Sequence, residues 1–395
     1  MKAVVVGGGI GGLAAGLALT RIGWEVEILE RAPAIEEIGA GVQISPNGMR
    51  ALDWLGVTDC IEDSLFEPEA ISLRSGRSGR KIFRLPMKDY AASRWGARFI
   101  QIHRADLQTA LFETLTEAGG VVRSDAEVTG YVREHHGAAA YLIGGERVFG
   151  DILIGADGIK SVIRAQMLGT DRARFTGNVA WRITVPIEAL EMPPPPEGVI
   201  WAGDGRHAVT TRIRGGEMVN FVGIVEQDGW EEEGWSLRGD QAEALQDFAG
   251  WQPLLCDIIR AEPAPHKWAL FDRPPLRTWL DGPVALLGDA AHPMLPSMAQ
   301  GAVQALEDAI ILAVMLDAEA PEPALQAYFA ARKPRVSQVQ ARSLSNLRMF
   351  HKSGFAKFAS YAPIWGAGLL VPNFIQSRQD WIYGFDPTRP TEASR

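Results

Sequence analysis

Short apolar runs that end near glycine recur along the chain and mark buried strands. Three of them, at residues 2–6, 152–154 and 284–287, contain almost only aliphatic side chains, which is typical of strands buried on both faces of a parallel sheet. An apolar segment at residues 13–22 follows the first run after a glycine-rich turn and predicts a helix. Ligands bind at the ends of such strands, so three stretches of the chain are expected to meet at one ligand.

The first stretch carries the pattern G-x-G-x-x-G at Gly7, Gly9 and Gly12. These glycines allow a tight turn, the approach of a pyrophosphate to the backbone, and close packing of helix on strand. A second strand over residues 24–29 ends at Glu30, whose carboxylate suits the two hydroxyls of an adenosine ribose. A glycine-rich turn with a purely structural role is the alternative. Because strand, turn, helix, second strand and terminal acid all agree, the sequence predicts a dinucleotide site.

The last stretch, residues 284–302, combines the end of a strand with a helix N-terminus that has little side-chain bulk. Gly288 ends the strand, and Asp289 places a carboxylate at its tip. Two prolines hold the following loop extended. Gly301 and Ala302 then open a helix with almost no side-chain bulk, so that its unpaired N–H groups favour a flat ligand carrying negative charge.

The middle of the chain, residues 175–274, has a different pattern in which polar and apolar positions alternate. The alternation over residues 179–186, 207–214 and 218–226 predicts antiparallel strands with one buried face. With a helix near residues 240–248, these strands are interpreted as a sheet inserted into the nucleotide-binding domain. The segment from residue 309 onward is predicted to be mainly helical.

The predicted fold class is therefore α/β, or α+β overall. It comprises a Rossmann-like nucleotide-binding domain, an inserted antiparallel-sheet domain for the substrate and a helical C-terminus. The predicted division gives residues 1–70, 96–178 and 268–345 to the nucleotide-binding domain, 71–95 and 179–267 to the substrate domain, and 346–395 to the C-terminal helical segment.

Composition narrows the classes of partner. The net charge of −9 and the isoelectric point near 5.4 argue against nucleic acid, whose partners present a basic face. Cys60 and Cys256 form no C-x-x-C pair, which predicts a reducing, cytoplasmic compartment. The seven histidines lack metal-ligand spacing, so no metal is expected. Prolines and glycines interrupt the apolar segment 355–375, which predicts packed helices and no integral membrane segment, with peripheral membrane contact as a minor alternative.

Together the three strand-end stretches resemble a flavoprotein monooxygenase of the single-component aromatic hydroxylase group. In the detailed sequence of its motifs, the chain is most similar to the salicylate hydroxylase branch, which includes 3-hydroxybenzoate 6-hydroxylases and 6-hydroxynicotinate 3-monooxygenases. The segments that carry this likeness are residues 39–47, 102–107, 180–182, 288–302 and 380–384. The resemblance spans nearly the whole chain.

The resemblance implies a tightly bound, non-covalent FAD, with NADH or NADPH as a transient co-substrate. It implies that hydride from NAD(P)H reduces FAD and that O₂ then gives a flavin C4a-hydroperoxide. The distal oxygen of that species hydroxylates an aromatic or heteroaromatic acid of the salicylate or hydroxybenzoate type. The enzyme must make the ring phenol a better nucleophile and keep water away.

The resemblance also assigns cofactor contacts. It places the adenosine at Glu30 and Arg31, the ribityl or ribose hydroxyls at Asp289, and the pyrimidine edge of the flavin at the amides of Gly301 and Ala302. It associates Asp157 and Gly158 with both FAD and the nicotinamide donor. The implied cofactor-binding residues are Gly7, Gly9, Ile10, Gly12, Glu30, Arg31, Val42, Gln43, Arg104, Val128, Asp157, Gly158, Gly288, Asp289, Gly301 and Ala302.

His207 is the predicted catalytic residue, because hydroxybenzoate and hydroxynicotinate relatives carry an active-site histidine at this strand start. Without the resemblance, an exposed histidine at the start of a strand is the better interpretation. Thr211, Pro296 and Ser297 are the predicted substrate contacts. Thr211 stands where the branch often has tyrosine, and Ser297 where it has a larger histidine or glutamine. A substrate larger than salicylate, or one bound in another orientation, is therefore expected.

Several alternatives stay open at this point. Arg182 and Arg212 are considered as partners of a substrate carboxylate, but the sequence favours ordinary surface ion pairs for both. Within the hydroxylase class, the alternatives are a urate-type or quinone-precursor hydroxylase. Outside it, they are an FAD oxidase or dehydrogenase and a flavin-binding redox sensor. A monomer or a homodimer is expected by analogy alone.

Overall fold

The computed structural model describes residues 1–34, 40–169, 173–229, 238–370 and 376–389. Its helices are α1 (Ile10–Arg21), α2 (Pro46–Leu55), α3 (Tyr90–Trp95), α4 (Arg104–Glu117), α5 (Val162–Leu168), α6 (Gln241–Asp247), α7 (Pro253–Arg260), α8 (Gly301–Ala318), α9 (Pro321–Phe350), α10 (Gly354–Leu370) and α11 (Asp380–Tyr383). Its strands are β1 (Lys2–Val6), β2 (Glu25–Leu29), β3 (Gly41–Ile44), β4 (Ala70–Ser75), β5 (Lys81–Pro86), β6 (Ile100–His103), β7 (Val121–Arg123), β8 (Val128–Glu134), β9 (Gly137–Leu142), β10 (Arg147–Gly150), β11 (Ile152–Gly155), β12 (Arg174–Pro186), β13 (Gly198–Gly203), β14 (Arg206–Ile213), β15 (Met218–Glu226), β16 (His266–Asp272), β17 (Leu280–Asp281) and β18 (Val284–Leu286).

The three apolar runs form the centre of a six-stranded sheet with the order β17-β18-β11-β1-β2-β7. All its pairs are parallel except β17 with β18. Val6 lies opposite Leu29 on one side and Gly155 on the other, and Gly155 lies opposite Leu286. The strand tips are therefore neighbours, and the prediction of a buried parallel sheet is confirmed.

A second, seven-stranded sheet has the order β16-β12-β15-β14-β13-β4-β5. Its pairs are antiparallel except that β13 runs parallel to β4. The predicted strands of the middle region are present, and α6 is the predicted helix. Strands β13 and β16 and helix α7 were not predicted. The domain boundaries stay a prediction, because they concern a division that sheet pairing alone does not define.

Close packing places helix α8 against the nucleotide side of the first sheet. A Cβ atom at Gly11 would lie 2.9 Å from the Leu287 side chain and 3.2 Å from that of Ala305, so α1 and α8 approach nearly backbone to backbone. Val303, Leu306 and most other residues of α8 are buried. Burial of each large aliphatic side chain contributes roughly 1.5–3 kcal/mol. The start of α8 is therefore fixed beside the tips of β1 and β18.

The two sheets meet through β3. The N–H of Gly41 donates to Oδ1 of Asn220 on β15 at 2.9 Å. A Cβ atom at Gly41 would lie 2.9 Å from Ile213 and 3.0 Å from Asn220, so a side chain there would separate the sheets. None of the described helices is long and apolar enough to cross a membrane.

Candidate active site

The glycine-rich turn between β1 and α1 is shaped by two close contacts. Gly7 has a φ of +107°, and a Cβ atom there would lie 2.5 Å from the carbonyl oxygen of Ala156. A Cβ atom at Gly12 would lie 1.9 Å from the carbonyl oxygen of Gly7. At Gly9, in contrast, no atom of the described residues would lie within 4 Å of an added Cβ. Helix α1 begins at Ile10 without a side-chain cap, so its first N–H groups are available to a phosphate.

Glu30, directly after β2, is oriented by that turn. Its carboxylate accepts hydrogen bonds from the backbone N–H of Gly8 at 2.5 Å and of Ala32 at 2.9 Å. A carboxylate has about four lone-pair sites, so roughly two stay free for ribose hydroxyls. Arg31 is exposed beside it. The adenosine contacts of Glu30 and Arg31 stay predictions.

Asp157, after β11, has one oxygen engaged and one without a partner. Oδ2 accepts from the N–H groups of Val162 at 2.7 Å and Ile163 at 3.2 Å, so it caps helix α5. Oδ1 is buried and has no hydrogen-bond partner among the described residues. Burial raises the pKa of the Asp157 carboxyl, and the hydrogen bonds with Ser161 and the helix N–H groups oppose that rise. Gly158 follows with a φ of +76°.

Gly288 and Asp289 lie after β18. Gly288 has a φ of +61°, and its N–H donates to Oδ2 of Asp308 at 3.0 Å. The Asp289 side chain reaches solvent, yet enough protein surrounds it that burial raises the pKa of its carboxyl. His292 and Arg104 oppose that shift. The predicted cofactor residues Arg104 and Asp289 are therefore close enough to interact, although they come from distant segments.

Helix α8 begins at Gly301, as predicted, with Gln300 as its N-cap and no side-chain cap. The nearest side-chain atom to a Cβ at Gly301 would be Cγ of Met294, at 3.9 Å. The N–H groups of Gly301 and Ala302 thus belong to an open helix start of partial positive charge.

The other predicted cofactor residues lie on strands. Val42 and Gln43 belong to β3, opposite Ile102 and Gln101 of β6. Val128 begins β8 and is buried. Their contacts with the cofactor stay predictions.

A buried ion-pair network beneath Gly288 was missed from the sequence. Nε of Arg332 donates to Asp308 and Nη1 to Glu307, each at 2.6 Å, and all three side chains are 0% exposed. Arg335 donates to both oxygens of Glu307 at 2.7 Å. His292 Nε2 lies 2.5 Å from Oδ2 of Asp308. Buried charges need partners, so two adjacent acids among the mostly apolar residues of α8 were the signal that pointed to such a network.

The network continues to the loop before α2. Asn47 Nδ2 donates to Oε1 of Glu307 at 2.6 Å, and Ser45 Oγ donates to Oδ1 of Asn47 at 2.7 Å. Gln300 Nε2 donates to Ser45 Oγ at 2.9 Å. Residues 45–47 and the N-cap of α8 are therefore held together by side chains that are at most 1% exposed.

On the second sheet, His207 is buried, and its interpretation as an exposed histidine is wrong. It is 1% exposed, and its Nδ1 lies 2.8 Å from Nε2 of His351. Its ring packs beside Phe350, with centroids 5.2 Å apart. The catalytic role of His207 stays a prediction.

Thr211 lies on the same face of β14 as His207, four residues along the strand. Its hydroxyl accepts from Nδ2 of Asn220 at 3.0 Å. Ser297 lies in a short 3₁₀ turn that starts at Pro296, and its hydroxyl donates to the carbonyl oxygen of Ser343. The Ser297 hydroxyl proton is thus used within the protein, whereas the Thr211 hydroxyl still has its proton to donate. The predicted roles of both residues stay predictions.

Arg182 and Arg212 form no surface ion pair among the described residues, contrary to the interpretation from sequence. The Arg182 guanidinium stacks 4.4 Å from the centre of the Trp268 ring, and its Nε is buried without a partner in the described part of the chain. Burial and the charge of Arg104 lower the pKa of Arg182 to about 10. Arg212 instead donates to the carbonyl oxygen of Pro194. The interaction with Arg104 indicates that Arg182 faces the nucleotide side.

The residues present fit FAD. Two helix starts lack side-chain caps, Gly9 and Gly301 leave open space, and Asp157 holds a buried oxygen without a partner among the described residues. Fold and site together define a dinucleotide-binding protein with a second sheet next to its nucleotide half.

Comparison with known proteins gives the family. The family model described as "FAD binding domain" matches residues 1–343. The chain is 36% identical over 353 residues to 3-amino-4-hydroxybenzoate 2-monooxygenase PtmB3 of Streptomyces platensis, covering 89% of this chain and 88% of that protein. It is 35% identical over 390 residues to 3-hydroxybenzoate 6-hydroxylase 1 of Aquipseudomonas alcaligenes, covering 96% and 97%. The structure of Klebsiella pneumoniae HpxO complexed with FAD and uric acid superposes with a TM-score of 0.85 at 28% identity, covering 97% of each chain.

The chain therefore belongs to the FAD-binding family of these aromatic hydroxylases. It is an FAD-dependent aromatic monooxygenase, and the resemblance to the branch that contains 3-hydroxybenzoate 6-hydroxylases is confirmed. FAD is its cofactor.

Proposed function

We propose that the enzyme uses NAD(P)H and O₂ to hydroxylate an aromatic or heteroaromatic acid that carries a ring hydroxyl. The observation that carries this proposal is the pairing of a buried imidazole with an arginine on one face of the second sheet. His207 lies opposite Ile224, which lies opposite Ala180, and Arg182 is two residues further along that strand. His207 and Arg182 therefore share a face.

The strand spacing of the sheet sets the distance between these two residues. Strands lie about 4.8 Å apart and residues about 3.3 Å apart along a strand, so the two Cα atoms are roughly 12 Å apart. The guanidinium of Arg182 has the fork geometry that binds a carboxylate. The imidazole of His207 is a base for the ring hydroxyl. A hydroxylated aromatic acid carries both groups.

Bound FAD supplies reduction by NAD(P)H and the activation of O₂. The chain's own residues have three tasks beside it. Asp289 and the N–H groups at the start of α8 hold polar and negative parts of the cofactor. His207 takes the proton of the ring hydroxyl. Apolar side chains on the same face of the second sheet, among them Ile224 and Trp268, exclude water.

The test is oxidation of NADH and NADPH by the purified yellow protein with and without a panel of acids. The panel contains 3-hydroxybenzoate, 3-amino-4-hydroxybenzoate, 6-hydroxynicotinate, salicylate and urate. We expect one compound to stimulate oxidation and to gain one oxygen atom by mass spectrometry. Fast oxidation that yields only peroxide, with every compound, would favour an oxidase and overturn the proposal.

Urate is included because one structural observation favours it. The Klebsiella pneumoniae protein with the high structural similarity is complexed with uric acid. The small side chains of Thr211 and Ser297 suit a bicyclic ring better than larger residues would. A urate-type hydroxylase is therefore the second candidate, and stimulation by urate alone would select it.

We also place the enzyme in the cytoplasm, which the two free cysteines support. Its assembly as a monomer or a homodimer stays a prediction, and size-exclusion chromatography with light scattering tests it.

A further inference from the structure

Three titratable side chains, two from the neighbouring strands β14 and β15 and one from the end of α9, form a continuous hydrogen-bonded line. Nδ1 of His207 lies 2.8 Å from Nε2 of His351, and Nδ1 of His351 lies 3.0 Å from Oε1 of Glu226. His207 is 1% exposed and His351 7%, whereas the Glu226 side chain is 61% exposed. His351 and Glu226 also line a cavity of about 690 Å³. The line therefore joins the interior face of the second sheet to solvent.

The carboxylate at the outer end sets the tautomers of both imidazoles. An ionised carboxylate only accepts hydrogen bonds, so His351 donates to Glu226 from Nδ1. Neutral His351 then has a bare Nε2, which accepts from the Nδ1–H of His207. Neutral His207 is left with a bare Nε2 that can act as a base. This Nε2 has no hydrogen-bond partner among the residues that the structure describes.

Burial favours the neutral form of both rings. It lowers the pKa of His207 well below the usual value, and the neighbouring His351 adds to that effect. Burial also lowers the pKa of His351, where Glu226 opposes and Arg206 assists. The other charged groups at the outer end are Arg174, Asp204, Asp228, Asp272, Arg348, Lys352 and Lys357.

We propose that His207, His351 and Glu226 form a proton relay that carries the proton of the substrate's ring hydroxyl to solvent. The proposal rests on the proposed function, which supplies that hydroxyl. His351 and Glu226 act through His207 and are positioning residues in this sense.

The transfer balances in protons and charge. The O–H bond of the ring hydroxyl breaks as an N–H bond forms at Nε2 of His207, and the Nδ1 proton of His207 passes to Nε2 of His351. The Nδ1 proton of His351 passes to Glu226 and from there to water. One proton leaves the hydroxyl of the substrate and one proton reaches solvent. Both imidazoles are neutral at the end, each with its proton on Nε2. Return of a proton to the product phenolate by the same path restores the starting tautomers.

The first experiment needs no substrate. In FAD-loaded protein labelled with ¹⁵N-histidine, two-bond ¹⁵N–¹H correlations report the tautomer of each ring, and single His→Gln variants assign the signals. We expect His207 and His351 to be neutral at pH 7 with the proton on Nδ1. A proton on Nε2 of His207, or a doubly protonated ring, would overturn the relay even if an acid is hydroxylated.

The second experiment blocks transfer while keeping the hydrogen bonds. Gln in His351→Gln or Glu226→Gln still offers an amide oxygen as acceptor, but it cannot pass a proton on. The substrate is the panel acid that most stimulates NADH oxidation. We expect kcat for formation of the hydroxylated product to fall on the order of 10-fold to 100-fold at neutral pH, with KM for the acid nearly unchanged. Raising the pH ionises the phenol in solution, so the rate of both variants should recover. Asp228→Asn is the matched control, because it removes an exposed carboxylate from the same cavity and should leave kcat unchanged.

The outcomes separate the two proposals. Wild-type kcat in both variants, or a loss that high pH does not restore, would overturn the relay while the hydroxylase function stands. A panel in which no acid is hydroxylated would reject the proposed function, and with it the transfer from a ring hydroxyl. In that case the expected tautomers would still support the bare Nε2 of His207 as a base.

Discussion

Two groups of buried polar side chains lie in the two halves of the molecule and differ in their charges. Under the nucleotide half, Arg332, Glu307 and Asp308 are 0% exposed and are joined as ions. At the second sheet, burial favours the neutral forms of His207 and His351, and the line that they form ends at the exposed carboxylate of Glu226. The first group is closed and its charges compensate one another, which suits a fixed support. The second is open to solvent at one end, which suits a group that exchanges protons.

The largest effect is expected when the closed group is broken. Arg332→Met leaves Glu307 and Asp308 buried with too few cations, and removal of one partner of a buried ion pair costs about 3–5 kcal/mol. We expect the free energy of unfolding in urea to fall by about that amount and FAD to be released earlier in the transition. Arg94→Met is the control, because it breaks a partly exposed pair with Asp380 that contributes about 0–1 kcal/mol. Equal decreases in the free energy of unfolding of Arg332→Met and Arg94→Met would contradict the distinction between the buried ion-pair network and a surface ion pair.

The next effect concerns the open group. His207→Ala removes the base but none of the predicted FAD contacts, so the variant should stay yellow and still oxidise NAD(P)H. Because general base catalysis contributes on the order of 100-fold or more, hydroxylated product per NAD(P)H should fall by about that factor. Product and peroxide, both measured against NAD(P)H consumed, check this. Unchanged product yield would remove His207 from the mechanism.

Asp289→Ala tests the predicted FAD contact of Asp289, a residue that lies next to the buried ion-pair network. Asp289 follows Gly288, whose N–H is bonded to Asp308 of the closed group. A hydrogen bond to a charged group is worth about 1.5–3 kcal/mol, so FAD affinity should fall roughly 10-fold to 100-fold. Titration of the apoprotein with FAD, followed by flavin fluorescence, measures the change. A variant that retains stoichiometric FAD after dilution would contradict the assignment of Asp289.

The sequence predicted what local pattern encodes. Gly7, Gly12 and Gly288 are needed for backbone contacts and positive φ angles, and these needs are met within a few residues of chain. Glu30 follows in the same way from the end of β2. The predicted parallel sheet and the position of the α8 start at Gly301 rest on the same kind of local signal.

The partners of buried groups were not predictable in this way. His207 and His351 are 144 residues apart, and Asn47 and Glu307 are 260 apart. Nothing in the composition around His351 sets it apart from a histidine at a helix end. Only the packing of α9 against the second sheet brings it to His207. Strand β13 was also missed, since it follows a proline run and pairs with β4, which lies far earlier in the chain.

The smallest effect separates the two groups by pH. Burial opposes ionisation of Asp308, but His292 and Arg332 outweigh it and lower its pKa to about 2. Its stabilisation is thus fully present above about pH 4, the range of an unfolded aspartate, and is lost as the pH falls through 2. For His207 and His351 the pKa in the folded state is also lowered. The free energy of unfolding therefore begins to fall as the pH drops below about 6.5, because unfolded histidines then bind protons that the buried rings do not.

The double variant His207→Gln/His351→Gln should therefore flatten the loss of stability just below pH 6.5 and leave the loss between pH 4 and 2 unchanged. Each group contributes at most about 1.4 kcal/mol per pH unit in its window. Urea unfolding followed by circular dichroism at closely spaced pH values measures both windows, with exposed His136→Gln as the control. If the double variant keeps the wild-type slope below pH 6.5, the two rings are not held neutral by burial. The distinction between a charged network around Arg332 and a neutral, proton-exchanging line at His207 and His351 would then be wrong for the line.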